Sequence, residues 1–247
     1  MYEENPHLRK LQSLGGYYDC RKWEGKRCDP LVGYAGRDES GRQYVGDTYI
    51  NFAVVEEIPL ILSEVAQDIL KLNIPLRGVS GFCGAPEGGK ALALMMGLHA
   101  RVCYIFPEEK VTQVATLTSR KISELFFGRH RPKEGEIWWI VEDVCNNFST
   151  TEKLIALIEG YGAKVGGIAC FLNRSLEIEE TFTSSSGTNF PVVTLVRKPF
   201  GQFSQDDPEV AADILAGNIV WKPKDEWSRL KESQERPYLV LVPKDEA

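Results

Sequence analysis

The sequence predicts an α/β protein, with a mainly parallel twisted sheet flanked by helices and a β-rich segment before it. Three stretches carry that prediction. Ile137 to Val141 are five apolar residues in a row. The chain then turns acidic at Glu142 and Asp143, passes through Asn146, Asn147, Ser149, Thr150 and Thr151, and resumes with Leu154, Ile155, Leu157 and Ile158 at helical spacing. An apolar run bounded in this way reads as a strand buried in a parallel sheet, followed by a helix. Leu76 to Phe82 is a second strand, running into the glycine-rich GFCGAPEGGK and a helix from Lys90 to Leu98. Val165 to Leu172 (VGGIACFL) is a third, after a helix from Glu152 to Glu159 that Gly160 and Gly162 stop. Strands that alternate with helices make a parallel sheet.

The remaining elements follow in order. Leu8, Leu11 and Leu14 recur at helical spacing before Gly15 and Gly16, so residues 1–16 read as a helix. In residues 17–52 aromatic and polar residues alternate between Gly25, Pro30, Gly33, Gly36, Gly41 and Gly46, which reads as short strands and turns. Val54, Ile58, Ile61, Leu62, Val65, Ile69 and Leu70 place the first core helix within 53–73. Arg101 to Phe106 is the next strand. Pro107 to Gly135 is polar and has no strong core pattern; a long segment of that kind is functional or disordered. Phe190 to Val196 is a β-branched strand, and Asp206, Asp207 and Pro208 mark the start of a helix reaching Ala216. From Asn218 onward, Trp221 and Trp227 among Pro and Lys read as an irregular arm. The expected division is 1–52, helix and β-rich segment; 53–217, core; 218–247, C-terminal arm.

Composition excludes several classes. A net charge of −6 and a pI near 5.3 give no electrostatic case for nucleic-acid binding. No run of apolar residues is long enough for a membrane helix. The N-terminus, MYEENPHLRK, is charged and does not read as a signal peptide. The six cysteines (Cys20, Cys28, Cys83, Cys103, Cys145, Cys170) include no CxxC pair, so a zinc site is not expected; Cys20 and Cys28 are the only close pair. Reduced thiols without a signal peptide point to the cytoplasm.

The chemistry sits at the turns. In open α/β sheets ligands bind where a strand ends and a helix begins. Backbone N–H groups of such a turn, with the positive end of the helix, hold an anion. The chain has two such turns, in 81–89 and in 145–150. Adjacent carboxyls ahead of the second suit a polyol or a cation. The bland alternative is a strand with an acidic end and a Ser/Thr cap.

The stretch IWWIVEDVCNNFSTT resembles the phosphoribosyl diphosphate signature of type I phosphoribosyltransferases: an apolar run, an acidic pair, then a short loop rich in Thr, Gly and Ser. The order of strand and glycine loop, strand and basic segment, then acidic pair and hydroxyl loop is also similar over residues 47–175. FPEEK, the segment YVGDTYINF and the Asn173-Arg174 pair look closest to the orotate phosphoribosyltransferases. The resemblance implies the type I phosphoribosyltransferase fold, with residues 17–52 forming part of a hood.

It also implies roles. Glu142 and Asp143 orient the ribose, and Val144, Asn146, Asn147, Phe148, Ser149 and Thr150 hold the 5-phosphate. Gly81, Phe82, Cys83 and Gly84 contact the pyrophosphate, with Pro86 opening the next helix. Lys110 joins Glu142 and Asp143 as a catalytic candidate, while Lys121, Arg129 and His130 belong to a lid. Tyr49, Asn51, Phe52 and Arg174 face the base. The implied partners are phosphoribosyl diphosphate, a nucleobase (orotate first) and a second copy of the chain, with Mg²⁺ as cofactor and no metal ligand assigned to the protein. The sequence departs from the pattern at Asn146 and Asn147, where the family has Thr, and at Phe148, where it has Gly. The His-Gly pair of the orotate enzymes is absent, and GRH stands at 128–130. Two other readings stay open: a module that senses phosphoribosyl diphosphate or a nucleotide without catalysis, and a transferase for a purine or another base.

Overall fold

The computed structural model describes residues 5–113 and 122–235. In chain order the first elements are α1 (Pro6–Ser13), β1 (Tyr17–Asp19), β2 (Lys22–Trp23), β3 (Lys26–Arg27), β4 (Leu31–Arg37), β5 (Gln43–Gly46) and β6 (Thr48–Ile50). Next come α2 (Ala53–Glu56), α3 (Pro59–Leu70), β7 (Gly81–Gly84), α4 (Gly89–Ala100), β8 (Cys103–Ile105), β9 (Glu108–Gln113), β10 (Ile122–Phe126) and β11 (Ile137–Cys145). The last are α5 (Ser149–Glu159), β12 (Lys164–Asn173), β13 (Thr181–Thr183), β14 (Asn189–Arg197), α6 (Pro208–Leu215), β15 (Ile219–Val220) and α7 (Trp227–Glu235).

The chain divides into two compact units, one of residues 1–9 and 52–199, the other of residues 10–51 and 200–247. Residues 200–217 group with the second unit. The first unit holds a six-stranded sheet in the order β13-β14-β12-β11-β7-β8. All its pairs are parallel except β13 with β14, the antiparallel edge. This is the expected mainly parallel α/β sheet. Burial is nearly continuous along β11 and β12, because helices cover both faces of such a sheet.

Local sequence explains the packing. A Cβ on Gly166 would meet the Trp139 indole at 2.6 Å, and so would one on Gly167. The two glycines make room for a fully buried tryptophan on the neighbouring strand, and the β11–β12 register shifts there. Helix α3 buries Leu62, Val65, Ala66 and Ile69, and α4 buries Leu92, Ala93, Met96 and Gly97, each an apolar stripe at helical spacing. The single helix expected in 53–73 is two, α2 and α3. Pro59 restricts Ile58 to an extended backbone, which breaks the run.

Three expectations are corrected. The polar segment 107–135 contains an antiparallel ribbon, β9 with β10. Its strands pair with each other and not with the core sheet, so they show no buried-strand signal. Pro86 does not open α4, whose first residue is Gly89. Residues 218–235 of the tail are not irregular: β15 pairs with β4, and α7 buries Leu230 and Ser233.

The second unit has the expected short strands, with β15-β4-β5 as its largest sheet. Arg21 is paired with buried Asp29 at 2.6 Å, and Arg27 with Asp47 and Asp213. Helix α6 starts as its sequence signals: Asp207 accepts from the Glu209 N–H at 3.0 Å and Pro208 fills the first turn. All six cysteines are free thiols. Among the described residues no helix is long and apolar enough to cross a membrane.

Candidate active site

The C-terminal ends of the parallel strands meet in register. Val141 of β11 stands beside Gly84 of β7, Cys145 beside Asn173 of β12, and Asn173 beside Arg197 of β14. The N-termini of α4 and α5 begin at this same edge, each after a short turn. All of this lies in the first unit.

The first turn is Ala85–Gly88. The Ala85 N–H donates to the Val141 carbonyl at 2.9 Å, which ties the turn to β11. A Cβ on Gly89 would collide with the Val141 carbonyl oxygen, and one on Gly88 with the Asp143 carboxyl. Glycine is needed here because the turn lies directly on the acidic pair. The expected contact residues Gly81, Phe82, Cys83 and Gly84 sit one step earlier, buried within β7. Gly81 is demanded by the sheet: a Cβ there would clash with the Cys103 backbone and the Trp138 ring.

Glu142 and Asp143 differ. Glu142 is 8% exposed. Burial pushes its carboxyl well above the usual carboxylate range, and the Asp143 and Cys170 beside it push the same way. The protonated form of Glu142, favoured by that shift, is one that can donate a hydrogen bond. Asp143 is half-buried against Gly88, at the surface of the edge. Burial likewise holds the Cys83 thiol protonated, and a hydrogen bond with Cys170 together with burial does so for Cys145. These cysteines pack; they are not thiolate nucleophiles.

The second turn is Asn146–Phe148. Phe148 has φ +57° and ψ +18°, the left-handed backbone that glycine adopts freely and other residues adopt at about 1–2 kcal/mol. Its side chain is 3% exposed and stacks on Phe182, with ring centroids 5.2 Å apart and planes at 13°. Phe148 thus holds a glycine-like backbone while its ring points into the core. Asn147 Oδ1 accepts from the Ser149 N–H at 3.2 Å. Asn147 and Ser149 are exposed, and Asn146, Val144 and Thr150 are half-buried. Thr151, in the first turn of α5, has a buried hydroxyl without a hydrogen-bond partner.

Other predicted residues are placed as follows. Arg174 follows β12; its backbone N–H donates to the Cys145 carbonyl at 2.9 Å and the residue is 7% exposed. Lys110 is exposed on β9, and Arg129 and His130 are exposed after β10. Lys121 lies outside the described residues. Phe52 is buried in the core, 5.0 Å from the Phe171 ring, so it offers no face to a base. Tyr49 and Asn51 belong to the second unit, where Tyr49 lies 5.9 Å from Trp227 and the Asn51 N–H donates to Gly16.

Sequence reading missed two cations. Lys90, in the first turn of α4, pairs with Glu87 at 2.8 Å and lies 5.2 Å from the Phe106 ring centre. A lysine in a first helical turn opposes the helix dipole, which favours anions there. The signal was its place directly after Gly88-Gly89. Arg197 donates from Nη1 to the Asn173 carbonyl at 3.1 Å, while its buried Nε and Nη2 have no hydrogen-bond partner. Nothing in its own strand sequence marks it.

For a metal, no group of three or more His, Cys, Asp or Glu side chains gathers among the described residues. Magnesium carried on a diphosphate needs only one or two protein carboxylates. Asp143 fits that lesser demand.

This arrangement is the type I phosphoribosyltransferase fold. Two solved structures give the likeness its scale. The orotate phosphoribosyltransferase from Aeropyrum pernix matches with a TM-score of 0.52 and 17% identity, over 76% of this chain and 92% of that one. The UMP synthase from Leishmania donovani matches with a TM-score of 0.51 and 15% identity, over 91% of this chain and 40% of that one. No protein-family model and no curated protein matches the chain. At these identities the likeness is one of fold.

Proposed function

We propose that the protein is a phosphoribosyltransferase that moves ribose 5-phosphate from phosphoribosyl diphosphate to a nucleobase, orotate first among candidates. The observation that carries this reading is the Asp143 carboxyl packed on Gly88. It brings an acidic residue at the end of β11 against the turn that opens α4, while the turn that opens α5 follows a few residues later. A ligand with a polyol between two anionic ends matches that order of groups.

In the reaction a base nitrogen forms a bond to C1 of the ribose as the C1–O bond breaks. Pyrophosphate leaves with the electron pair. Positive charge grows on the sugar and negative charge on the leaving group, so fixed charges contribute more than a strong base. Asp143 orients the ribose hydroxyls and faces the developing cation. Glu142, whose burial favours the protonated carboxyl, donates to a ribose oxygen. Lys90 and the α4 N-terminus receive the pyrophosphate, with Lys110 as a second cation. The α5 turn holds the 5-phosphate through Ser149, Thr150 and backbone N–H groups. The Arg174 guanidinium suits a carboxylate such as that of orotate. Asp143 would hold Mg²⁺ brought in on the diphosphate, and the ion would neutralise charge on the leaving group.

A second reading is a sensor that binds phosphoribosyl diphosphate without turnover. The Ser149 N–H favours it, because Asn147 already occupies that donor. Product formation from phosphoribosyl diphosphate, Mg²⁺ and a panel of bases, read by chromatography, separates the two. Turnover with one base establishes the transferase and its acceptor. Binding without turnover of any base establishes the sensor. Neither binding nor turnover sinks both.

A further inference from the structure

We infer that Phe182, on the antiparallel edge hairpin, is a positioning residue that holds the phosphate turn of α5 in its left-handed conformation. The inference rests on the reading of that turn as the phosphate site. Phe148 is one of three non-glycine residues with positive φ among those described. It alone stands at the N-cap of a helix at the candidate site. Left to itself, a phenylalanine there would leave the left-handed region, with a preference of about five- to thirtyfold against it.

Two contacts oppose that. The Phe148 ring stacks on Phe182, whose strand β13 pairs with β14 so that Phe182 stands opposite buried Phe190. One turn into α5, Glu152 Oε1 accepts from the Ser185 N–H at 3.0 Å and from its hydroxyl at 2.6 Å. The hairpin therefore grips the start of α5 at two points, one apolar and one polar. An edge strand of three residues has little to add to the sheet itself. Its rings and its Ser185 are spent on this turn. A glycine needs no such grip, and the aromatic pair replaces by packing what glycine supplies by conformational freedom.

The test compares the wild type with Phe182→Ala, Phe148→Gly and the double variant. Three quantities are read: affinity for phosphoribosyl diphosphate with Mg²⁺ by calorimetry, melting temperature, and the backbone chemical shifts of residue 148. Phe182→Ala is expected to weaken binding about tenfold and to move residue 148 out of the left-handed region. The double variant is expected to recover affinity to within about twofold of the wild type while melting no higher than Phe182→Ala. A purely structural role would make affinity follow the melting temperature in all four proteins. Phe182→Ala binding as the wild type does, or a double variant as weak as Phe182→Ala, overturns the inference. Where Phe182→Ala does not fold, Phe182→Leu keeps apolar volume without the ring and carries the same comparison. If the wild type binds no phosphoribosyl diphosphate, the functional reading fails separately. The shifts of residue 148 then still decide, and an unchanged left-handed signature without the Phe182 ring overturns the positioning role.

Discussion

The two turns at the sheet edge reach similar backbone problems by different means. The turn before α4 lies so close to β11 that a Cβ on Gly88 would meet the Asp143 carboxyl and one on Gly89 the Val141 backbone. The turn before α5 needs a left-handed residue, and Phe148 supplies it under compulsion from Phe182. One turn is shaped by what its residues lack, the other by what a distant hairpin adds. The first is set by the close approach of β11 to the two glycines. The second is delocalised, so its failure can be induced from the hairpin and repaired by a glycine at position 148.

Substitutions sharpen that contrast. The largest effect is expected at Asp143, where the first turn meets the acidic pair. Asp143→Asn should lower turnover by about 100- to 1000-fold, the scale of losing one fixed charge interaction in a transition state. Its melting temperature should stay near the wild type, and steady-state kinetics beside a melt check both. Gly88→Ala pushes the Asp143 carboxyl aside without touching that residue, and should cost about 100-fold in kcat. Gly89→Ala drives a methyl into the Val141 carbonyl, which cannot rotate away. It should cost about 1–3 kcal/mol of stability in urea unfolding, and equal stability would show that the turn has slack.

Glu142 gives a pH signature. Its folded carboxyl keeps a proton that the unfolded chain releases in the ordinary glutamate range. The stability this contributes is fully present below that range. It is lost as pH rises through that range toward the raised native value. Glu142→Gln should remove that slope, gaining most over the wild type at neutral and alkaline pH. Melts at a series of pH values would show parallel curves if Glu142 were ionised in the fold. The smallest effect is expected at Asn147→Ala, which removes the side-chain partner of the Ser149 N–H and should cost about 0.5–1 kcal/mol. If that freed donor tightens binding of phosphoribosyl diphosphate, the sensor reading loses its support.

The residues show where sequence reading works. The run Ile137–Val141 is recognisable as a buried strand because parallel strands are apolar on both faces. Asp207-Pro208 marks α6 because a cap and a fixed φ act within a few residues. The β9–β10 ribbon was missed because it is polar and pairs only with itself. Helix α7 was missed because Leu230 is the one apolar residue it buries fully among charged neighbours. The resemblance implies that Phe52 faces a base, yet its ring is buried against Phe171, because whether a ring is core or site depends on what surrounds it.

By itself, the sequence determined the α/β class, the order of strands and turns, and the acidic pair at the end of β11, since periodicity, capping and apolar runs are properties of neighbours in the chain. Only the tertiary structure decided that Glu142 is buried with its carboxyl pushed upward while Asp143 meets Gly88, that Lys90 and Arg197 stand at the same edge, and that Phe148 holds a glycine-like turn. Those outcomes depend on desolvation, register and stacking between residues distant in sequence, which no local pattern encodes.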